Sequence, residues 1–135
     1  MSRVTMIAAV VLLVAGGGSV LAQQFSPAPP PIRRIARADL PGRVIFEQQC
    51  APCHGTGPGA DGSAYLPGTA ALEAKYHWDK PPQLELRNDL PAPVLRVFVR
   101  RGSGAMPAFR PSELTNAQID QIAEYLAATA RLNGR

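Results

Sequence analysis

The stretch Cys50-Ala51-Pro52-Cys53-His54 constrains this chain more than any other, because it holds both cysteines and one of the two histidines. On a helix, positions i, i+3 and i+4 share a face, so two thiols and an imidazole would project to one side. As Cys-x-x-Cys alone, the pattern is compatible with a redox dithiol, a disulfide or half of a zinc site. No second metal-binding pair accompanies it, which argues against zinc. No βαβ pattern surrounds it, which argues against a thioredoxin-like dithiol. With histidine directly after the second cysteine, the spacing is that of a c-type haem attachment site. Cys50 and Cys53 would form thioethers to the two vinyl groups of one porphyrin, and His54 would coordinate the iron from beneath.

Residues 1–22 read as a secretory signal, with Arg3 in a short positive region, an apolar core from Val4 to Ala15, and Val20-Leu21-Ala22 as a small-residue cleavage site. The competing reading is an uncleaved anchor. Val4 to Ala22 barely reaches the ~20 residues a spanning helix needs, and it carries three consecutive glycines. Cleavage is the expectation, and a membrane association follows only if the segment is retained. Export agrees with the chemistry, since covalent haem attachment in bacteria is completed outside the cytoplasm. With both cysteines in one motif, none is left for a disulfide framework.

Residues 23–38 form a linker by composition. Pro27, Pro29, Pro30 and Pro31 favour extended chain, and Arg33, Arg34 and Arg37 make the arm basic. It is either a solvated arm or one that lies on a partner protein. Residues 39–135 allow one small domain. The net charge of +4 is mild and excludes a nucleic-acid binder.

Within that domain the pattern is all-α, about four helices, with no strand signal. The first helix is predicted to start near Asp39 or Leu40 with Pro41 in its first turn and to end in the haem motif. Phe46, Cys50 and Cys53 fall on one of its faces. Gly55 to Gly62 is too glycine-rich for either helix or strand. Thr69 is predicted to cap a short helix through Tyr76 that Pro81-Pro82 stops. The segment Asp89 to Pro93 leads into a third helix, with Val94, Leu95, Phe98 and Val99 as its apolar stripe and Gly102 at its end. Thr115 and Gln118 form a capping box for the last helix. Ile119, Ile122, Ala123, Leu126 and Ala130 make its apolar face, Tyr125 lies on the flank, and Asn133-Gly134 closes it.

The loop Ser103 to Phe109 carries the second piece of chemistry. The other two methionines are Met1 and Met6, so Met106 is the one that survives cleavage. It lies on a non-helical loop, is followed by Pro107, and is far enough from His54 for two short helices between them. A thioether is a soft neutral donor suited to haem iron, so Met106 is the candidate second axial ligand. His77, the only other histidine, is a weaker candidate for that position. Tyr76 and Trp78 have two readings of equal weight: contacts from their O–H and N–H to haem propionates, or rim packing with a polar tip in water.

Taken together, Gly42-x-x-x-Phe46-x-x-x-Cys50-x-x-Cys53-His54, Met106-Pro107 and a last helix with Ile122, Tyr125 and Leu126 resemble the small single-haem c-type cytochromes with His/Met ligation. The resemblance runs from Leu40 to Leu132. It implies a small cytochrome c fold wrapped around one covalent haem c per chain, with iron held by His54 and Met106. It also implies that the first and last helices cross at Gly42, with Phe46 and Tyr125 packed beside the crossing. A proline carbonyl bonded to the proximal histidine is expected, with Pro58 and Pro67 both eligible. The segment from Pro67 to Phe109 is further similar to the cytochrome subunits of flavin-dependent dehydrogenases of the p-cresol methylhydroxylase type.

The function these features imply is a periplasmic one-electron carrier rather than an enzyme. It would accept electrons from a flavin- or quinone-dependent dehydrogenase and pass them to a terminal oxidase or another cytochrome. The alternative is a haem enzyme or gas sensor, peroxidase-like, with a labile distal ligand. That alternative calls for distal acid–base groups; His77 is the one spare histidine, and no distal Arg–His pairing is readable.

Overall fold

The computed structural model of the chain describes residues 40–134. The expected signal (1–22) and the Pro-rich arm (23–38) lie outside the described residues. Five helices follow in order: α1 (Pro41–Gln49), α2 (Ala51–His54), α3 (Pro67–Tyr76), α4 (Ala92–Arg101) and α5 (Asn116–Leu132), with a 3-10 turn at Leu84–Leu86 between α3 and α4. No strand forms among the described residues; there is one isolated bridge, Ser103 with Met106.

The fold is built on the crossing of α1 and α5. Gly42 is buried at the crossing. A Cβ there would overlap the Gln121 carbonyl and lie 2.9 Å from the Ile122 nitrogen, so only a bare backbone allows this approach. One turn on, the rings of Phe46 and Tyr125 meet with centroids 5.6 Å apart and tilted by 45°, within the favourable range for aromatic pairs. Around them Leu95, Val99, Leu114, Ile119, Ile122 and Leu126 close the core. Tyr125 is thus a core residue at 1% exposure rather than a flanking one.

The helix ends have local causes. Pro41 starts α1, Pro67 starts α3, and Pro93 sits in the first turn of α4, where a missing N–H costs nothing. The α5 capping box is complete, with the Gln118 backbone N–H donating to Thr115 Oγ1 at 3.2 Å and the Thr115 N–H donating to Gln118 Oε1 at 2.8 Å. Gly102 ends α4 with φ of 69°, a conformation glycine adopts freely. Arg100 and Arg101 occupy the last turn, as the helix dipole favours.

Four expectations need correction. The first helix does not run through the motif: it ends at Gln49, and α2 is a separate turn. Thr69 does not cap α3, which starts two residues earlier at Pro67; Thr69 is buried within the helix. Nor do the prolines at 81 and 82 stop α3. It ends at Tyr76 because His77 and Trp78 take left-handed φ values of 46° and 68°. On α4, Leu95 and Val99 are buried, but Phe98 is 39% exposed and does not belong to the inward stripe.

Candidate functional site

The α1 ladder breaks at Cys50, whose φ of −118° and ψ of −43° redirect the chain into α2. The Cys50 carbonyl then accepts from the N–H groups of both Cys53, at 3.1 Å, and His54, at 2.8 Å. These bonds wind the three candidate residues into one turn, so they project from a common region as their spacing requires. Cys50 is half-buried against the core and Cys53 is exposed, and no disulfide joins them. Burial, reinforced by the charge of Cys53, pushes the Cys50 thiol up to about 11. A redox dithiol works through a thiolate stabilised near neutral pH, and this environment does the opposite. Among the described residues no group of three or more His, Cys, Asp or Glu converges as a zinc site would require.

The His54 ring rests against the start of α3. A Cβ at Gly68 would lie 2.7 Å from His54 Cε1 and 2.8 Å from Nδ1, so the glycine is the space the imidazole occupies. Thr69 Oγ1 donates to the Gly55 carbonyl at 3.0 Å in the interior, tying α3 to the residue directly after His54. Burial lowers the His54 pKa, which favours the neutral ring, the form in which imidazole binds a metal. Its Nδ1 is buried and has no hydrogen-bond partner; neither the Pro58 nor the Pro67 carbonyl bonds to it.

Met106 is half-buried and packs against the same apolar cluster that Cys50 touches. Its backbone is fixed by paired hydrogen bonds with Ser103, at 3.1 and 3.0 Å. The loop turns at Gly102, where a Cβ would come 2.6 Å from the Met106 carbonyl oxygen.

Tyr76, His77 and Trp78 end α3. The Tyr76 ring has three cations around it: Arg87 Cζ at 4.9 Å from the centroid, Lys75 Nζ at 5.2 Å and Lys80 Nζ at 5.7 Å. Burial would raise the phenol pKa, but the Arg87 hydrogen bond and the nearby positive charges outweigh it and lower it. Trp78 meets Tyr65 edge-on at 6.3 Å, and its buried Nε1 has no partner. His77 is exposed.

Sequence reasoning passed over the stretch after Pro82. Gln83, Glu85 and Arg87 are all buried, at 0%, 7% and 6% exposure. Arg87 forks onto Asp89 at 2.8 and 2.7 Å, joined by Lys80 at 2.6 Å. The Tyr125 hydroxyl donates to buried Glu85. The alternation of these polar residues with Leu84 and Leu86 resembles an exposed edge, so composition alone offers no signal for their burial.

A covalent haem fits these residues. Buried polar atoms without partners are rare in folded proteins, and two of them, His54 Nδ1 and Trp78 Nε1, belong to residues that the motif and its surroundings nominate for haem contact. The glycine at 68 lets the His54 imidazole lie directly against the α3 backbone.

No curated protein matches this chain. Among solved structures, p-cresol methylhydroxylase is 28% identical over 64% of this chain and 90% of its own, with a TM-score of 0.43. OmcF, the outer membrane cytochrome F of Geobacter sulfurreducens, is 23% identical over 65% of this chain and 96% of its own, at 0.41. Cytochrome c6 of the diatom Phaeodactylum tricornutum is 26% identical over 67% of this chain and 92% of its own, at 0.40. The profile of the family described as cytochrome c oxidase, cbb3-type, subunit III matches residues 37–126, from just before α1 to within α5. With an attachment motif, a half-buried imidazole and an all-helical frame in hand, that match places the chain in this cytochrome c family, as a haem-based electron carrier with covalently bound haem c.

Proposed function

We propose that Cys50 and Cys53 carry the haem through thioethers, that His54 is the proximal ligand and Met106 the distal one, and that the protein is a one-electron carrier of the periplasm. The single observation behind this reading is that the attachment turn and the methionine loop meet at one apolar core: Cys50 and Met106 both pack against it, and His54, in the same turn as Cys50, lies against α3. When bound, the haem supplies the one-electron couple. The residues do the rest. Burial favours the neutral form of His54, Met106 offers an uncharged sulfur that favours the reduced metal, and the packed helices limit reorganisation on either side of electron transfer. Tyr76 and Trp78 are candidates for propionate contact, supported by the unpartnered Trp78 Nε1.

In this reading residues 1–22 direct export and are removed, 23–38 form a basic arm, and 39–135 are the cytochrome domain. Electrons come from a flavin- or quinone-dependent dehydrogenase, a reading carried by the sequence resemblance of Pro67 to Phe109. They leave to a terminal oxidase or another cytochrome, a direction the family description supports.

The test is spectroscopic. Oxidised protein should show the weak long-wavelength sulfur-to-iron charge-transfer band, and reduced protein should bind carbon monoxide slowly. Met106→Ala should remove the band, lower the potential and admit carbon monoxide freely, while His77→Ala leaves all three unchanged. Fast carbon monoxide binding by the wild type would instead support a ligand-binding haem protein.

A further inference from the structure

The loop that carries Met106 is held from outside by one side chain. Arg100, half-buried in the last turn of α4, donates from Nη1 to the Phe109 carbonyl at 3.0 Å. Its Nη2 donates to the Leu114 carbonyl at 2.7 Å and to Asn116 Oδ1 at 2.7 Å. Phe109 lies three residues after Met106, and Leu114 directly precedes Thr115, the N-cap of α5. One guanidinium therefore joins three pieces of chain: the end of α4, the far side of the methionine loop and the start of α5. The Phe109 N–H donates to the Val99 carbonyl at 2.8 Å, so backbone and side chain fasten the same residue to α4. Between this fastening and the α4 terminus, the Ser103–Met106 pair closes the loop on itself.

The neighbouring arginines are used differently. Arg96 pairs with Asp120 across the exposed seam of α4 and α5, and Arg110 pairs with Glu113 in solvent. Arg100 places its donors on two backbone carbonyls and an amide oxygen. Such bonds report chain position and contribute no neutralisation of charge. A planar fork with donors on separate nitrogens reaches carbonyls at two angles, which a single ammonium does not.

We propose that Arg100 is a positioning residue for Met106: by pinning Phe109 to α4 and α5 it keeps the loop closed, so the thioether stays at its station and outside ligands are kept out. This rests on Met106 being the distal ligand. Without the clamp the sulfur is still present, but the loop spends more time open, and any ligand that competes with the thioether gains by that fraction.

The experiment compares holoprotein of wild type, Arg100→Gln, Arg100→Lys, Arg96→Gln and Met106→Ala, reading the charge-transfer band when oxidised and the carbon monoxide binding rate when reduced. In Arg100→Gln the rate should rise about tenfold, the scale set by losing a charge-assisted hydrogen bond from the closed state, and the band should weaken relative to wild type. Arg100→Lys should fall between the two. Arg96→Gln breaks the exposed Asp120 pair on the same α4–α5 seam and leaves every Arg100 bond in place; it should keep the wild-type rate and band, which separates positioning from general support. Wild-type rate and band in Arg100→Gln would overturn the clamp and leave the ligand reading standing. If Arg100→Gln yields no holoprotein, an unchanged rate in Arg100→Lys overturns the clamp equally. A wild type with no band, indistinguishable from Met106→Ala, would overturn both.

Discussion

Gly42 and Glu85 show how single residues set the tolerance of this fold. Any side chain at Gly42 would meet the α5 backbone, which has no rotamer to yield. Gly42→Val should therefore destabilise the protein by about 3 kcal/mol, the upper part of the overpacking range, as read by chemical denaturation; wild-type stability would mean the helices separate at no cost. Glu85 and Asp89 give opposite pH signatures. Burial raises the Glu85 pKa, with help from the charge of Glu47, against the Tyr125 hydrogen bond and the charge of Arg43. A carboxyl whose folded pKa lies above its unfolded value favours folding fully below the unfolded value, and that contribution fades as pH rises through the folded one. The Arg87 hydrogen bond, with Lys80 beside it, holds Asp89 well below the usual carboxylate range. Its contribution is present above the unfolded value and lost as pH falls through the folded one. Glu85→Gln should thus flatten the decline of the thermal midpoint as pH rises above the ordinary carboxylate range, and Asp89→Asn should flatten the acid limb. Circular dichroism melts across pH that run parallel to wild type would count against either assignment.

At the scale of elements, the α1–α5 crossing carries the apolar centre and the α4–α5 loop carries Met106. Phe46→Ala removes a fully buried ring from the first and should cost about 3–5 kcal/mol, while leaving the charge-transfer band intact in whatever protein remains folded. A band lost in step with stability would show that the ligand loop depends on the crossing as a single unit. The junction of α2 with α3 is the third such element. Gly68→Ala would press a methyl group into the His54 ring or the Cys53 carbonyl, the latter 2.9 Å from the added carbon. It should shift the haem spectrum with little change in helical content, a combination seen by recording visible and far-ultraviolet spectra on one sample.

For the molecule as a whole, the issue is what the haem does for a core this small. The described domain has a limited apolar interior, and a large rigid apolar body bonded into it adds stability that the chain alone lacks. Cys50→Ala or Cys53→Ala should sharply reduce the yield of holoprotein, and the apoprotein should be largely unfolded by circular dichroism. Haem that leaves the wild type in acid–acetone would contradict covalent attachment. Among the described residues no helix is long and apolar enough to cross a membrane.

Much of this architecture is local and was therefore readable in the chain itself. The one-turn grouping of Cys50, Cys53 and His54, the Thr115–Gln118 box, the Gly102 terminus and the apolar face of α5 all depend on residues within a few positions of one another, where spacing alone decides which atoms meet. The contacts of Gly42 with α5 and of Phe46 with Tyr125 were legible only through family resemblance, because they join opposite ends of the domain. The rest was decided by tertiary structure. Thr69 reads as a helix cap but bonds Gly55, because Pro67 had already started the helix and left its hydroxyl facing the interior. Glu85 looks like a surface residue until Tyr125, forty positions away, donates to it. Arg100 looks like a dipole-favoured terminal cation until the folded loop brings the carbonyls of Phe109 and Leu114 to it. A polar side chain's partner is set by the path of distant backbone, and only the packed helices determine that path.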